Sequence, residues 1–240
     1  MLILDIRYYE NGSNYPRTLG KEFVFSIDAE SAGARIARKL REYGFILGTY
    51  DHLYIVLTDK LPEKQIKAWS RSIDSRIRCF DCGASPSSIN KMSEEKQFEF
   101  LYEATFKVLN FLASKEEAKK RLINKIKDDI RNYNTGLEIL HKQKNTSLYF
   151  LSISYQIKPK GKKSIGWILY VNKKTNQSVK MPFIELEHYE DIFFLVSSAS
   201  ISKGTIHLKP RSSFKAEVWN KRYSVPIEIP LEKLTSVKNG

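Results

Sequence analysis

The sequence predicts an α+β protein built from three successive parts. Over residues 1–92, short apolar runs alternate with helix-like segments in a β-α-β-β-α-β-like order. Residues 93–134 have the periodicity of long amphipathic helices, and residues 135–240 alternate apolar and polar side chains as mostly antiparallel strands do. These three ranges are the predicted domains, and the pattern leaves one continuous domain open as the alternative.

The N-terminal strands are predicted from apolar runs that are bounded by turn residues. They are expected at Leu2–Tyr9, Glu22–Ile27, Phe45–Leu47, Leu53–Leu57 and Ser75–Cys82. With helices between them, these strands predict a compact sheet of the ferredoxin-like kind.

Two helices are predicted between those strands. The first follows Asp28, whose side chain can cap a helix N-terminus, and it ends at Gly44. Its apolar stripe consists of Ala32, Ile36, Leu40 and Tyr43. The second begins near Pro62, because proline suits the first helical turn. Its buried face is expected to consist of Ile66, Trp69 and Ile73.

The central segment predicts a pair of long helices. The first carries a broad apolar face, which indicates burial on more than one side, and its main positions are Phe98, Leu101, Leu109 and Leu112. Ser114 and Glu117 have the spacing of a capping box, so a second helix is expected to start there. It is expected to end at Asn132–Gly136.

The last part predicts a series of strands. They are expected at Leu151–Ile157, Ser164–Val171 and Ser178–Leu186, then in a hairpin over Ile201–Leu208 and a final pair at Phe214–Trp219 and Tyr223–Ile229. Lys158–Lys163 and Asn172–Gln177 have the composition of the turns between the first three of these strands.

Positive charge is concentrated in this last part. The chain carries a formal net charge of +13, and residues 135–240 contribute 17 basic but only 8 acidic residues. No acidic residue lies between Glu138 and Glu185, a stretch that holds nine lysines. We interpret this stretch as an electropositive surface for an anionic partner. The candidate contacts are Lys158, Lys160, Lys162, Lys163, Lys173 and Lys174.

Two alternatives to this interpretation stay open. The lysines can be solvated residues that protect sheet edges, or they can reflect an AT-rich genome. Aromatic residues accompany the lysines, and lysine beside stacking aromatic rings is typical of proteins that hold single-stranded nucleic acid. The candidate aromatic contacts are Tyr149, Trp167 and Tyr170.

The sequence contains no motif that specifies a reaction. The patterns GxSxG, GxGxxG and HExxH are absent. Cys79 and Cys82 form a CxxC pair without a second pair, so they are interpreted as structural. Asp51 and His52 are neighbours, but consecutive residues of a strand point to opposite faces, so only a loop could pair them. His188 lies in an acidic stretch that is interpreted as an exposed turn. We therefore predict no catalytic residue, no cofactor and no metal.

Residues 50–112 resemble the immunity proteins that bacteria encode beside polymorphic toxins. The resemblance lies in the strand Leu53–Leu57, the segment SRIRCFDCG at 75–83, a proline-containing loop and the aromatic helix FEFLYEATFKVLNFLA at 98–113. It implies a cytosolic, non-enzymatic antidote that covers the active site of one toxin. Because this chain is basic, such a toxin would present an acidic surface.

These observations predict a non-enzymatic binding protein that engages an acidic protein partner. A nucleic-acid-binding protein that uses the Lys-rich β half is the alternative, and an enzyme whose residues converge only in space stays open as a third class. The N-terminal apolar stretch is too short for a signal peptide, and no run is long enough for a membrane span, so we expect a cytoplasmic protein that does not bind membranes.

Overall fold

The computed structural model describes residues 1–12 and 15–235, which fall into two compact units. The first unit spans Met1–Leu137, and the second begins at Glu138. Residues 93–134 therefore belong to the first unit. Helices and strands are both abundant, and the sheets of the second unit are antiparallel, so the predicted α+β class is confirmed.

The first unit is a mixed sheet with helices. Its strands are β1 (Asp5–Glu10), β2 (Arg17–Thr18), β3 (His52–Thr58), β4 (Ile66–Ala68) and β5 (Ile77–Gly83). The sheet order is β2-β1-β3-β5-β4, with β1, β3 and β5 parallel and the two edge strands antiparallel to them. This arrangement differs from the ferredoxin-like sheet that the sequence predicted. The helices are α1 (Ala29–Glu42), α2 (Pro86–Ile89), α3 (Glu94–Leu112) and α4 (Glu117–Tyr133).

The core of this unit lies between alternate strand residues and the helices. Ile6, Leu53 and Phe80 are fully buried with the apolar residues of α1, α3 and α4. Gly33 lets α1 approach β1 closely, because a Cβ atom at this position would lie 2.2 Å from the carbonyl oxygen of Ile6. The predicted apolar stripe of α1 is confirmed at Ala32, Ile36 and Leu40, which are buried, but Tyr43 is exposed and follows the end of the helix. Asp28 caps the helix by accepting a hydrogen bond from the Ser31 N–H.

The predicted strand Glu22–Ile27 is wrong, because side chains rather than a neighbouring strand accept its N–H groups. The carboxylate of Glu10 is fully buried and accepts the N–H groups of Glu22 and Phe23 at 2.8 and 2.9 Å. Its Oε1 also accepts a hydrogen bond from Nε of Arg17, at a distance of 2.6 Å. Farther along the segment, the Ser26 N–H donates to Oε1 of Gln97 at 2.8 Å. The segment is therefore irregular but firmly held.

The helix predicted near Pro62 is also wrong. Ile66–Ala68 forms the edge strand β4, paired with β5, and Nε1 of Trp69 donates to Oδ1 of Asp81 at 2.7 Å. The predicted strand Phe45–Leu47 is reduced to one isolated bridge, Leu2 to Ile46.

The second helix of the central pair begins where predicted, but the capping box is wrong. The residue that precedes α4 is Glu116, and no side chain caps this helix. Ser93 instead caps α3, accepting a hydrogen bond from the Lys96 N–H at 3.4 Å.

The second unit contains two antiparallel sheets. A four-stranded sheet consists of β6 (Glu138–Asn145), β7 (Tyr149–Gln156), β8 (Ser164–Asn172) and β9 (Gln177–Leu186), paired in that order. A three-stranded sheet consists of β10 (Ser198–Ser202), β11 (Thr205–Lys209) and β12 (Ile227–Pro230). The helices are α5 (Ile192–Leu195), α6 (Phe214–Asn220) and α7 (Leu231–Thr235).

Two strand predictions in this unit are corrected. The predicted hairpin around Lys203 and Gly204 is confirmed by β10 and β11. The predicted strand Phe214–Trp219 is instead helix α6, capped by Ser213, whose Oγ accepts the Ala216 N–H. The last predicted strand starts later than Tyr223, at Ile227.

We predict that Glu10→Gln destabilises the first unit by about 2–4 kcal/mol, because an amide presents N–H groups to donors that need an acceptor. Burial raises the pKa of the Glu10 carboxyl, but the N–H donors of Phe23 and Glu22 and the Arg17 guanidinium outweigh burial and lower it below 4.5. The stabilisation is therefore present above pH 4.5 and is lost as the pH falls through the lowered pKa.

Urea unfolding at pH 7 and pH 3 measures this effect. The difference between wild type and Glu10→Gln should shrink at pH 3, and the exposed Glu63→Gln is the control that should change stability little. Equal stability of Glu10→Gln and wild type at pH 7 would contradict the role of Glu10.

Candidate anion-binding surface

The four-stranded sheet places the candidate lysines at its two opposite ends. Lys158–Lys163 connects β7 to β8 at one end, whereas Lys173 and Lys174 lie in the turn from β8 to β9 at the other. Because β8 has nine residues, the two groups are separated by about 25–30 Å. The six predicted lysines therefore do not form one cluster.

The end that contains Lys158–Lys163 is partly neutralised. Nζ of Lys163 lies 3.3 Å from Glu185 and 3.4 Å from Glu187, and these two carboxylates raise its pKa. Lys158 is half-buried, and its N–H donates to Oγ of Ser164 at 3.1 Å. Lys160 and Lys162 are exposed in the same turn. The densest part of the lysine run thus lies beside two carboxylates at the end of β9.

At the other end, two turns are joined to each other. The N–H of Lys173 donates to the Leu148 carbonyl at 3.0 Å, and Nζ of Lys173 donates to the Thr146 carbonyl at 2.5 Å. This fixes the β6–β7 turn beside the β8–β9 turn. Lys173 and Lys174 lie in the β8–β9 turn, and Lys142 and Lys144 lie on β6 where it leads to the β6–β7 turn; all four are exposed. Among the described residues, none of the four forms an ion pair with a carboxylate.

The strand register places two tyrosines on the same sheet face as two of these lysines. Lys144 and Tyr170 both lie opposite Leu151, one on each side of it. Directly opposed residues of antiparallel strands share a face, and so do alternate residues of one strand, so Lys142 and Tyr149 are on this face as well. The Tyr149 and Tyr170 ring centroids are 6.4 Å apart. We call the set Lys142, Lys144, Tyr149, Tyr170, Lys173 and Lys174 the cationic tip.

Trp167, the third candidate aromatic residue, lies on the opposite face of the sheet. It is paired with Ser154 and packs against Lys180, whose Nζ is 5.5 Å from the indole centroid. Nζ of Lys180 also contacts Oε1 of Glu138 at 2.5 Å. Nε1 of Trp167 is buried without a hydrogen-bond partner among the described residues. The structure therefore separates Trp167 from Tyr149 and Tyr170.

Sequence reasoning did not select Lys142 and Lys144 as contacts. It selected Lys158–Lys163 together with Lys173 and Lys174 from the stretch that has no acidic residue. The feature that brings the four lysines of the cationic tip together is the alternating direction of β6 to β9, which puts every second turn at the same end of the sheet.

Asp51 and His52 form the pair that strand geometry alone disfavoured. Because β3 begins at His52, Asp51 lies in the preceding loop, and its Oδ1 is 2.6 Å from Nδ1 of His52. The Arg76 guanidinium is the main cause that lowers the pKa of Asp51, and it binds the same carboxylate. Among the described residues, no hydroxyl or thiol is hydrogen-bonded to His52. The cluster ties together the chain segments that enter β3 and β5.

The stretch around His188 is not wholly an exposed turn, as the sequence predicted. Asp191 is almost completely buried, and its carboxylate accepts the His188 N–H at 3.1 Å and the Tyr223 hydroxyl at 2.5 Å. Across the described residues, no group of three or more His, Cys, Asp or Glu side chains has the geometry to hold a metal ion.

Comparison with protein-family models, with curated proteins and with solved structures gives no match. Within the described residues, every helix is too short or too polar to cross a lipid bilayer.

Cys79 and Cys82 are both buried in β5, and they point to opposite faces of the sheet because three positions separate them. Burial raises the pKa of each thiol to about 11. We predict that neither thiol reacts with iodoacetamide, a small neutral reagent, at pH 8 faster than the protein unfolds, whereas both react in denaturant. An exposed control thiol, Ser147→Cys, should react at once, and a fast-reacting thiol in the native wild type would contradict the burial of these cysteines.

Proposed function

We propose that the protein is a non-enzymatic binding protein that engages an acidic protein partner through the cationic tip. The observation that carries this proposal is the group of four exposed lysines at one end of the four-stranded sheet, two on β6 and two in the β8–β9 turn, where no carboxylate of the described residues neutralises them. An acidic partner would be attracted to this end of the sheet before contact and held by several ion pairs after it.

The chemistry of the cationic tip favours a protein surface over sequence reading of nucleic acid. The chain has no arginine between Arg131 and Arg211, so this stretch lacks the planar forks that read bases and that bind phosphates or carboxylates bidentately. Its lysines can attract either kind of anion as point charges, but they cannot read a base sequence in that way. Tyr149 and Tyr170 are half-buried and lie beside each other, which suits an apolar contact at the centre of a protein interface.

The immunity-type hypothesis gives this partner an identity. On that hypothesis the acidic partner is a bacterial toxin, and the cationic tip covers acidic residues around its active site. A reducing, cytoplasmic location is part of the same proposal, and it is supported by two cysteines that are buried as free thiols.

Binding of single-stranded nucleic acid is the second candidate function. The placement of Tyr149 and Tyr170 beside Lys144 favours it, because lysine and stacking aromatic rings together bind single strands without sequence preference. Both candidates use the same residues, so the choice between them depends on the ligand and not on the location of the site.

We predict that the triple substitution Lys142→Glu, Lys144→Glu and Lys174→Glu weakens binding of poly-L-glutamate at least about tenfold, because three attractions become repulsions. The matched control is Lys158→Glu, Lys160→Glu and Lys162→Glu, which changes the net charge equally at the opposite end of the sheet. Affinity is measured by fluorescence anisotropy at 50 and 200 mM salt, after circular dichroism has shown that both variants are folded.

The control should retain most of the wild-type affinity. Equal losses in the two variants would overturn the cationic tip as the binding site, because only net charge would then matter. Tighter binding of oligo-dT than of poly-L-glutamate at equal salt, lost in the same triple variant, would replace the acidic protein by nucleic acid as the partner.

A further inference from the structure

The first unit contains a half-open groove of about 470 Å³ along α3. This is within the size range of small-molecule sites. One side is α3 itself, and the other side includes Glu63 and Lys64, which lie in the segment that leads into β4. We call it the α3 groove. It is remote in sequence from the cationic tip and belongs to the other unit.

The wall opposite α3 is built rigidly on β5. The N–H of Lys64 donates to the Gly83 carbonyl, and the Gly83 N–H donates to the Gln65 carbonyl, both at 2.8 Å. A Cβ atom at position 83 would lie 1.9 Å from the Pro62 carbonyl oxygen, so only glycine permits this contact. Nζ of Lys107 reaches across from α3 and donates to the Lys64 carbonyl at 2.6 Å. The groove is therefore held open at a fixed width.

The floor of the α3 groove is apolar. It is formed by Cys82, Met92, Phe100, Ala104 and Phe106. Four of these five side chains are more than nine-tenths buried, and Met92 is half-buried, so the floor is a continuation of the hydrophobic core. A ligand that reaches it must carry an apolar body.

The rim of the groove has an excess of uncompensated cations. Glu103 is bound by Nζ of Lys127 at 2.9 Å, and Glu99 is bound by Arg131 at 2.8 Å, so these carboxylates are already paired. Lys64, Lys96 and Lys107 also line the groove, and no carboxylate of the described residues pairs with any of them. Glu63 is the remaining acidic residue among the lining side chains. Three lysines that no carboxylate pairs therefore lie with one glutamate around the apolar floor, so the rim has a net positive charge.

We propose that the α3 groove binds a small amphipathic anion, which is a molecule with an apolar body and a carboxylate, sulfonate or phosphate head. The body would lie on Phe100, Ala104 and Phe106, and the head would lie beside Lys96. Lys107 lies about 16 Å farther along α3 and already donates to the Lys64 carbonyl, so these two lysines add positive charge at the other end of the groove. This site is independent of the cationic tip and of the proposed function.

The test uses the full chain and the fluorescent probe 1-anilinonaphthalene-8-sulfonate. Its fluorescence should rise on binding, and dodecanoate below its micellar concentration should displace it. Dodecyltrimethylammonium, which has the same tail and a cationic head, should not. Ala104→Trp fills the floor and should abolish binding, whereas Lys96→Glu should weaken binding of the anions about 3- to 10-fold.

Lys96→Glu keeps the test decisive if the Ala104→Trp variant fails to fold. Lys96 is exposed in the first turn of α3, where an acidic side chain suits the helix dipole, so this variant is expected to remain folded. Lys115→Glu is the matched control, an exposed charge reversal away from the groove that should leave affinity unchanged.

Three results would overturn the proposal. In the first, dodecanoate fails to displace the probe. In the second, the cationic amphiphile displaces it equally well. In the third, Lys96→Glu binds the probe and dodecanoate like wild type. The probe would then bind elsewhere, for example at Phe214 of α6, whose side chain is 82% exposed.

Discussion

Antiparallel pairing is the constraint that determines where the charges of the second unit lie. Four consecutive strands that pair in chain order must place successive turns at alternate ends of the sheet. A stretch without acidic residues that is continuous in sequence is therefore divided in space. Lys158–Lys163 lies at the end of the sheet where Glu185 of β9 and Glu187, just after β9, contact Lys163. The lysines beside the β6–β7 and β8–β9 turns have no carboxylate partner among the described residues. The register then places Tyr149 and Tyr170, but not Trp167, on the face of Lys144.

In the first unit, buried carboxylates accept hydrogen bonds that fix chain segments which do not pair as strands. Glu10 accepts N–H groups of an irregular segment, and Asp51 joins the chain segments before β3 and β5. Each carboxylate is held in its charged form by donors that outweigh the cost of burial. Such acceptors release the backbone from regular pairing, which explains how an apolar segment such as Glu22–Ile27 is well fixed and yet is not a strand.

The limits of sequence reasoning follow from the range of the interactions involved. The helix α1 was predictable because its cap and its apolar stripe are local, and α3 because its apolar face is long. The segment Phe214–Trp219 is too short for its apolar pattern to distinguish a helix from a strand. Phe214, Ala216 and Val218 alternate as in a strand, but Phe214 and Val218 also share a helix face. In the structure, the hydrogen bond from the Ala216 N–H to the Ser213 side chain stabilises the helical conformation, so the segment forms α6. Ile66, Trp69 and Ile73 have helical spacing, but Ile66–Ala68 pairs with β5 as an edge strand. The paired residues of β5 lie 12 to 16 positions farther along the chain, outside the window in which helical spacing is judged.

The same limit applies to the sites. The lysine excess was visible in the sequence, but the pairing of each lysine depends on carboxylates that the fold brings near, so the sequence could not separate Lys163 from Lys144. The α3 groove gave no sequence pattern at all, because its lining comes from a turn, a strand and two helices.

The cationic tip and the α3 groove are both positively charged, but the first is an open surface and the second is a recess. This difference in shape determines what each can bind. At the cationic tip, exposed lysines of β6 and of the β8–β9 turn lie beside half-buried rings, with no recess between them. A partner must therefore supply its own extended acidic surface, and affinity must come from many weak contacts. In the α3 groove, the lysines surround a recess that continues into the core, so a small molecule can bury most of its apolar surface there and needs only one anionic group. The cationic tip and the α3 groove both contain lysines that no carboxylate pairs. They differ in the depth of the neighbouring apolar surface, which is shallow where a macromolecule would bind and deep where a small molecule would bind.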